Sequence, residues 1–162
     1  PGQGAFRDCA AALAGGLGDA LRAAIAAGKA YLGICLGLQA LFAESDEAPG
    51  AAGLGVFAGK LSRLAPSAGV KIPHMGWNRV ALLREGAGPL AVFDGEDPYF
   101  YFVHSYHAVP PDPALVAAIT EHGPHRITAA IQRDNVTATQ FHPEKSQGAG
   151  LRLLASFLSQ HG

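Results

Sequence analysis

Residues 31–39 read Tyr-Leu-Gly-Ile-Cys-Leu-Gly-Leu-Gln, a short apolar run that stops at Cys35 with Gly33 two places before it and Gly37 two places after. The pattern predicts a nucleophile elbow, in which a strand turns at once into a helix and its central residue is held in strained backbone geometry. Glycine at both flanking positions lets the neighbouring chain pass close to the turn. An elbow constrains the whole fold, because it requires a strand feeding a helix and hence an α/β arrangement. It also presents the cysteine rather than burying it. The sulfur then sits at a helix N-terminus, where unpaired N–H groups and the positive end of the helix dipole favour thiolate over thiol.

The remainder of the chain fits that frame. Helical and strand patterns alternate, which points to a sheet with crossover helices. Residues 7 to 28 read as a helix in two pieces, broken by Gly15, Gly16 and Gly18 and stopped by Gly28 before a strand at 31 to 35. The spacing of Cys9, Leu13, Leu17, Leu21 and Ile25 makes one apolar stripe and gives Cys9 the role of a small core residue. The elbow helix is expected at about 36 to 43. A Pro/Gly loop from Pro49 to Gly55 precedes a strand from Val56 to Leu64. Tyr99-Phe100-Tyr101-Phe102-Val103 is strongly β-prone. Arg126 to Gln132 and Val136 to Phe141 form a hairpin across Arg133-Asp134-Asn135. The last helix, about 147 to 160, shows Leu151, Leu154, Phe157 and Leu158 as its inward stripe.

A second chemical feature follows the hairpin, at Gln140-Phe141-His142-Pro143-Glu144. Period two places His142 and Glu144 on one side of an extended chain, and the proline between them ends the strand, so both side chains stand at a loop mouth. A carboxylate there holds one imidazole nitrogen and leaves the other for a thiol, the relation of nucleophile, base and orienter. In α/β-hydrolases the acid precedes the histidine, whereas here it follows, so the elbow belongs to another triad lineage. Asp94, Asp97 and Asp134 are the alternative upstream acids. Taken singly, the Gly-x-Cys-x-Gly stretch reads as a tight turn and the His-Pro-Glu stretch as a solvated loop; together they indicate catalysis.

Composition narrows the setting. The 162 residues, 49% of them hydrophobic, suffice for a single domain with a sizeable core. Lys and Arg total 12 against 13 for Asp and Glu, so no basic footprint points to nucleic acid. No run approaches the roughly 20 apolar residues that span a bilayer, which sets membrane roles aside and leads us to expect a cytoplasmic protein. Two cysteines match neither a zinc pattern nor a disulfide framework, so a reactive Cys35 is the expectation. His104 and His107, without cysteine or carboxylate company, read as a packed loop pair rather than metal ligands, and no metal or cofactor is expected.

Gly33-Ile34-Cys35-Leu36-Gly37-Leu38-Gln39 together with His142-Pro143-Glu144-Lys145-Ser146 resembles the class I, triad-type glutamine amidotransferases. Pro73-His74-Met75-Gly76-Trp77-Asn78 and Tyr101-Phe102-Val103-His104-Ser105-Tyr106 narrow the resemblance to the glutaminase subunits of imidazole glycerol phosphate synthase. The glutaminase of pyridoxal phosphate synthesis has a similar elbow but lacks the Pro-His-Met-Gly-Trp-Asn segment. The likeness runs from the first residue to the final helix. It implies a three-layer α/β fold of flavodoxin-like type, with an open, mixed and largely parallel sheet flanked by helices.

The resemblance also implies the chemistry. Glutamine is attacked by Cys35, a glutamyl thioester forms as ammonia leaves, His142 moves the protons and Glu144 fixes its tautomer. The Leu36 backbone N–H is one oxyanion donor, and Pro1-Gly2-Gln3-Gly4 resembles the family's glycine-rich oxyanion strand, with Gln3 where a small branched apolar residue is expected. Gln39, one helical turn after Cys35, binds the polar end of the substrate or else sits on a helix rim. His104, Ser105 and Tyr106 give contacts to the amino-acid end of L-glutamine. The implied partner is a (β/α)₈ cyclase subunit forming a heterodimer. It uses the channelled ammonia to make imidazole glycerol phosphate and an aminoimidazole carboxamide ribotide in histidine biosynthesis. Met75, Trp77, Tyr106 and Lys145 line or border the docking face, although Trp77 reads equally as core. In this family the glutaminase is nearly silent until the partner and its ligand reorganise the oxyanion strand, which is the expectation here. The family carries strands and a helix before the oxyanion strand, so the chain is expected to be N-terminally truncated. A noncatalytic partner subunit, the glutaminase of another synthase, and a cysteine hydrolase such as a γ-glutamyl hydrolase are the competing readings.

Overall fold

The computed structural model describes residues 4–84 and 88–161. Two short helices open the described chain, α1 (Phe6–Ala14) and α2 (Leu17–Ala26). Their axes turn by 84° at Gly15 and Gly16. That bend divides the stripe expected of one face: Leu13, Leu21 and Ile25 pack on the core, Cys9 is half-buried and Leu17 points to solvent. No single helix among the described residues is long and apolar enough to cross a membrane.

Strand β1 (Tyr31–Ile34) runs into α3 (Leu36–Gln39) through Cys35. The elbow helix is half the expected length, because the chain leaves it for β2 (Phe42–Ser45), whose Phe42 enters the core beside Leu41. Next come β3 (Phe57–Arg63), β4 (His74–Arg79), β5 (Ala81–Leu82), β6 (Tyr99–His104) and β7 (Tyr106–Val109). Then β8 (Val116–His122), β9 (His125–Arg133) and β10 (Val136–Thr139) lead to the final helix, α4 (Gln147–His161). The β9–β10 hairpin stands where the turn residues placed it, with Asp134 at φ 51°.

The strands form an open five-stranded sheet in the order β1-β10-β9-β8-β5, a three-stranded sheet β2-β3-β7 and the pair β4-β6. The architecture is mixed α/β, as expected, but the sheets are not largely parallel. Among the described pairings β1–β10 and β2–β3 are parallel and the rest antiparallel. The physical reason is connection length: β4 through β10 are joined mostly by turns too short for a crossover helix, and short turns join antiparallel neighbours.

Two apolar clusters hold the elements together. One gathers Phe6, Leu38, Leu41, Phe42 and Leu61 under α1 and α3. The other gathers Phe93, Phe100, Phe102, Phe141 and Leu153 between the second half of the sheet and α4. Helix α4 is rotated from the expected stripe, since Leu151 and Leu158 are exposed while Gly150 and Leu153 face inward. Gly150 decides the rotation. A Cβ on it would lie 1.7 Å from the Pro143 carbonyl oxygen, so only glycine lets α4 abut the His142 loop.

Candidate active site

The parallel pairing of β1 with β10 brings the two chemical motifs together. Ile34 is in register with Thr139, and the Cys35 N–H donates to the Thr139 carbonyl oxygen at 2.7 Å. Cys35 and the Gln140–His142 segment therefore leave the same end of neighbouring strands. Cys35 itself sits at φ 50° and ψ −101°, strained geometry for a residue with a side chain and the hallmark of an elbow.

His142 continues the chain in place. Its N–H donates to the Tyr101 carbonyl oxygen at 2.9 Å, and its carbonyl oxygen accepts from Ser146 Oγ at 2.6 Å. The ring is buried, and Nδ1 meets Glu144 Oε1 at 2.6 Å. A carboxylate accepts, so Nδ1 carries the proton and Nε2 is left as a lone pair. That Nε2 is buried and has no hydrogen-bond partner among the described residues. A buried, unsatisfied imidazole nitrogen costs stability unless a substrate or nucleophile uses it. Of the alternative acids, Asp97 pairs with Arg79 and Asp134 occupies the β9–β10 turn, so Glu144 is the carboxylate on His142.

Cys35 is 7% exposed, not presented to solvent as the elbow pattern implied. Burial pushes its thiol up to about 11, against the pull of the Leu36 backbone N–H and the Gln140 amide; Glu144 adds to the rise and Lys145 opposes it. The expected thiolate bias is thus reversed at rest, since a helix of four residues offers few N–H groups and desolvation outweighs them.

A cavity of about 310 Å³ opens onto Cys35, lined by Gly4, Leu36, Gln39, Glu47, His104, Ser105 and Tyr106 among others. Every expected substrate-side residue borders it. Gly4, at φ 145°, has a backbone that favours glycine, while Gln3 lies outside the described residues. Gln39 is buried, not on a rim, and its Nε2 donates to the Tyr106 carbonyl oxygen at 3.1 Å. His104 is buried too and pairs with His74 at 2.9 Å rather than with His107. Burial, with His74 close by, takes the His104 imidazole down to about 3, and burial takes His74 down to about 4.

Sequence reasoning missed Glu47, the one carboxylate among the described residues on the cavity wall. It accepts from the Phe6 backbone N–H at 3.2 Å. Glu44, Asp46 and Glu47 are indistinguishable in the sequence; in three dimensions Asp46 is drawn off by Lys60 and Glu47 alone turns to the cavity.

The pair β4–β6 borders the same cavity. Its outer face alternates Met75, 61% exposed, and Trp77, 47% exposed, with Val103 and Tyr101 directly across the ladder. Trp77 is therefore surface, not core, and Val103 also lines the Cys35 cavity. Lys145 is exposed beside the His142 loop.

Residues 1–160 match the family described as Glutamine amidotransferase class-I. The chain is 51% identical over 142 residues to the imidazole glycerol phosphate synthase subunit HisH of Synechococcus elongatus, covering 88% of this chain and 64% of that one. It is 51% identical over 164 residues to the HisH subunit of Methylococcus capsulatus, covering 98% of this chain and 75% of that one. The chain thus spans just under two thirds of the Synechococcus relative. Among solved structures, PurLQS from Thermotoga maritima superposes with a TM-score of 0.71 at 22% identity, over 93% of this chain and 71% of that one, which speaks to the fold alone.

Proposed function

The chain belongs to the class I glutamine amidotransferases, and from that premise we propose that it hydrolyses L-glutamine as the glutaminase subunit of an imidazole glycerol phosphate synthase. The observation that carries this reading is the buried Nε2 of His142, without a partner among the described residues, on a ring whose Nδ1 is held by Glu144, at the strand end beside Cys35.

In this mechanism His142 Nε2 accepts the Sγ proton as glutamine binds, and the sulfur attacks the carboxamide carbon. The resting thiol, pushed up to about 11, means the thiolate forms only with the base in place. The oxyanion of the tetrahedral adduct is met by the Leu36 N–H and by the peptide at Gln3-Gly4. His142 returns its proton to the departing nitrogen, the C–N bond breaks, and ammonia leaves a glutamyl thioester. Water, deprotonated by His142, then attacks the thioester, and glutamate is released as Sγ regains its proton. Glutamine's α-ammonium is placed at Glu47 and its amino-acid end against Gln39 and the His104-Ser105-Tyr106 backbone.

The ammonia has a receiver. Met75 and Trp77, with Lys145 and Tyr106 at the border, form the docking face for a (β/α)₈ cyclase subunit in a cytoplasmic heterodimer. The continuity of that face with the Cys35 cavity through Val103 supports the assignment. The test is glutamate release by the purified chain with a cyclase subunit and its nucleotide ligand. Release that requires the partner and disappears in Cys35→Ala is expected. No release from a folded complex overturns the reading and favours a noncatalytic subunit.

A further inference from the structure

A hydrogen-bonded chain runs from the docking strand to the nucleophile, and its direction is set at both ends by backbone groups that have only one role. At the outer end, Asn78 Nδ2 donates to the Glu121 carbonyl oxygen at 2.8 Å, while its Oδ1 accepts from the Arg79 N–H at 2.8 Å. The Asn78 amide therefore has one orientation. Its Nδ2 also meets His74 Nε2 at 3.0 Å, so that nitrogen accepts and His74 carries its proton on Nδ1. His74 Nδ1 meets His104 Nε2 at 2.9 Å, so His104 also carries its proton on Nδ1. That proton goes to the Tyr106 carbonyl oxygen at 2.9 Å, a group that can only accept. Both ends agree.

From Tyr106 the chain continues inward. The same carbonyl takes a second bond from Gln39 Nε2 at 3.1 Å, which fixes the Gln39 amide. Gln39 Nε2 faces Gln140 Oε1 at 3.4 Å, which leaves Gln140 Nε2 to donate to Cys35 Sγ at 3.5 Å. Gln140 is wholly buried. Its amide cannot turn over without placing two N–H groups, or two oxygens, against each other at Gln39 or at Tyr106.

We propose that Gln140 is a positioning residue for the Cys35 sulfur, held in one amide orientation by Gln39 and the Tyr106 carbonyl, and that Asn78, His74 and His104 hold that carbonyl in place. Resting on the glutaminase reading, this makes the docking strand β4 and the nucleophile two ends of one network that meets at the Tyr106 carbonyl, where donors arrive from both sides. Disturbing Asn78 removes the donor on the buried His74 Nε2, although the Tyr106 carbonyl still fixes both tautomers. The His74 and His104 rings then shift, the Tyr106 carbonyl that Gln39 shares moves with them, and both glutamine amides lose their place. The other groups that bear on Sγ are the Leu36 N–H, Glu144 and Lys145, none of which belongs to the chain.

The first test is spectroscopic and needs no substitution. Long-range ¹H–¹⁵N correlation of the imidazole nitrogens in the purified chain at neutral pH is expected to show His74 and His104 both neutral with the proton on Nδ1. A proton on Nε2 of either ring overturns the proposal. The second is the rate of Cys35 alkylation by iodoacetamide at fixed pH, read by mass spectrometry of the Cys35 peptide so that Cys9 does not contribute. Gln140→Met is expected to slow it about tenfold, the low end for a bond donated to a charged acceptor. Asn78→Ala, at the rim of the fold, is expected to slow it in the same direction by a few fold, and the double variant by less than the product. A folded Asn78→Ala protein alkylated at the parent rate overturns the link to β4. Neither measurement involves glutamine turnover, so an inactive glutaminase with these signatures would sink the functional reading and leave the network standing.

Discussion

The two glycines of the elbow look equivalent in sequence, and the structure makes them opposites. A Cβ built on Gly33 would lie 2.7 Å from the Gly37 carbonyl oxygen, 2.8 Å from its carbonyl carbon and 2.9 Å from Ala138 Cβ. Ordinary contact is about 3.5–4.0 Å, so roughly 0.8 Å must be found on two sides at once. The neighbours are α3 backbone on one side and β10 on the other, neither of them a flexible side-chain end. Overpacking typically costs about 1–3 kcal/mol, and a site squeezed from two sides belongs near 3. At about 2–4 °C per kcal/mol for a chain of this size, Gly33→Ala should lower Tm by roughly 6–12 °C. Gly37→Ala is the control: its Cβ would meet nothing nearer than Tyr31 Oη at 3.8 Å, and its helical backbone suits alanine. The assay is urea unfolding of both variants, with unchanged m so that the shift in midpoint reads stability. Equal midpoints for Gly33→Ala and parent, or a larger loss in Gly37→Ala, would refute the steric account of the elbow.

Three further outcomes are expected. Glu144→Gln keeps a partner at His142 Nδ1 but loses the fixed tautomer and the charge, so kcat for glutamate release should fall by about 100-fold or more with little change in KM. His74 and His104 are held neutral in the fold, down to about 4 and about 3, while the unfolded chain binds protons near pH 6.5. Their contribution is therefore complete above pH 6.5 and is lost as pH falls toward 3; urea midpoints taken between pH 7 and 4 should drop, and a flat profile would refute the burial. Trp77→Ala removes an exposed side chain, so the unfolding midpoint should stay within about 0.5 kcal/mol of the parent, whereas affinity for the cyclase subunit measured by calorimetry should fall about 30-fold or more.

Much of the site was legible in the chain because its signals are local. Gly33-x-Cys35-x-Gly37 announces a strained turn, and Pro143 between His142 and Glu144 ends a strand with both side chains aligned; the φ of 50° at Cys35 and the 2.6 Å contact to Glu144 are what those short patterns imply. The hairpin at Arg133-Asp134-Asn135 is local in the same sense. What the sequence by itself determined, then, is the chemistry of each motif and the turn or strand that presents it.

Only the tertiary structure decided how those pieces face one another. Burial depends on everything packed around a residue, so the protonation of Cys35 is reversed from its local expectation by desolvation. The rotation of α4 hangs on the approach of Gly150 to Pro143, eight residues' worth of pattern overruled by one backbone contact. Glu47 is singled out from its acidic neighbours by the turn after β2 that holds it, and Trp77 is placed outside by the register of β4 on β6. The direction of the Asn78–His74–His104 chain is set by carbonyls of Glu121 and Tyr106, groups every residue carries and no sequence pattern can mark.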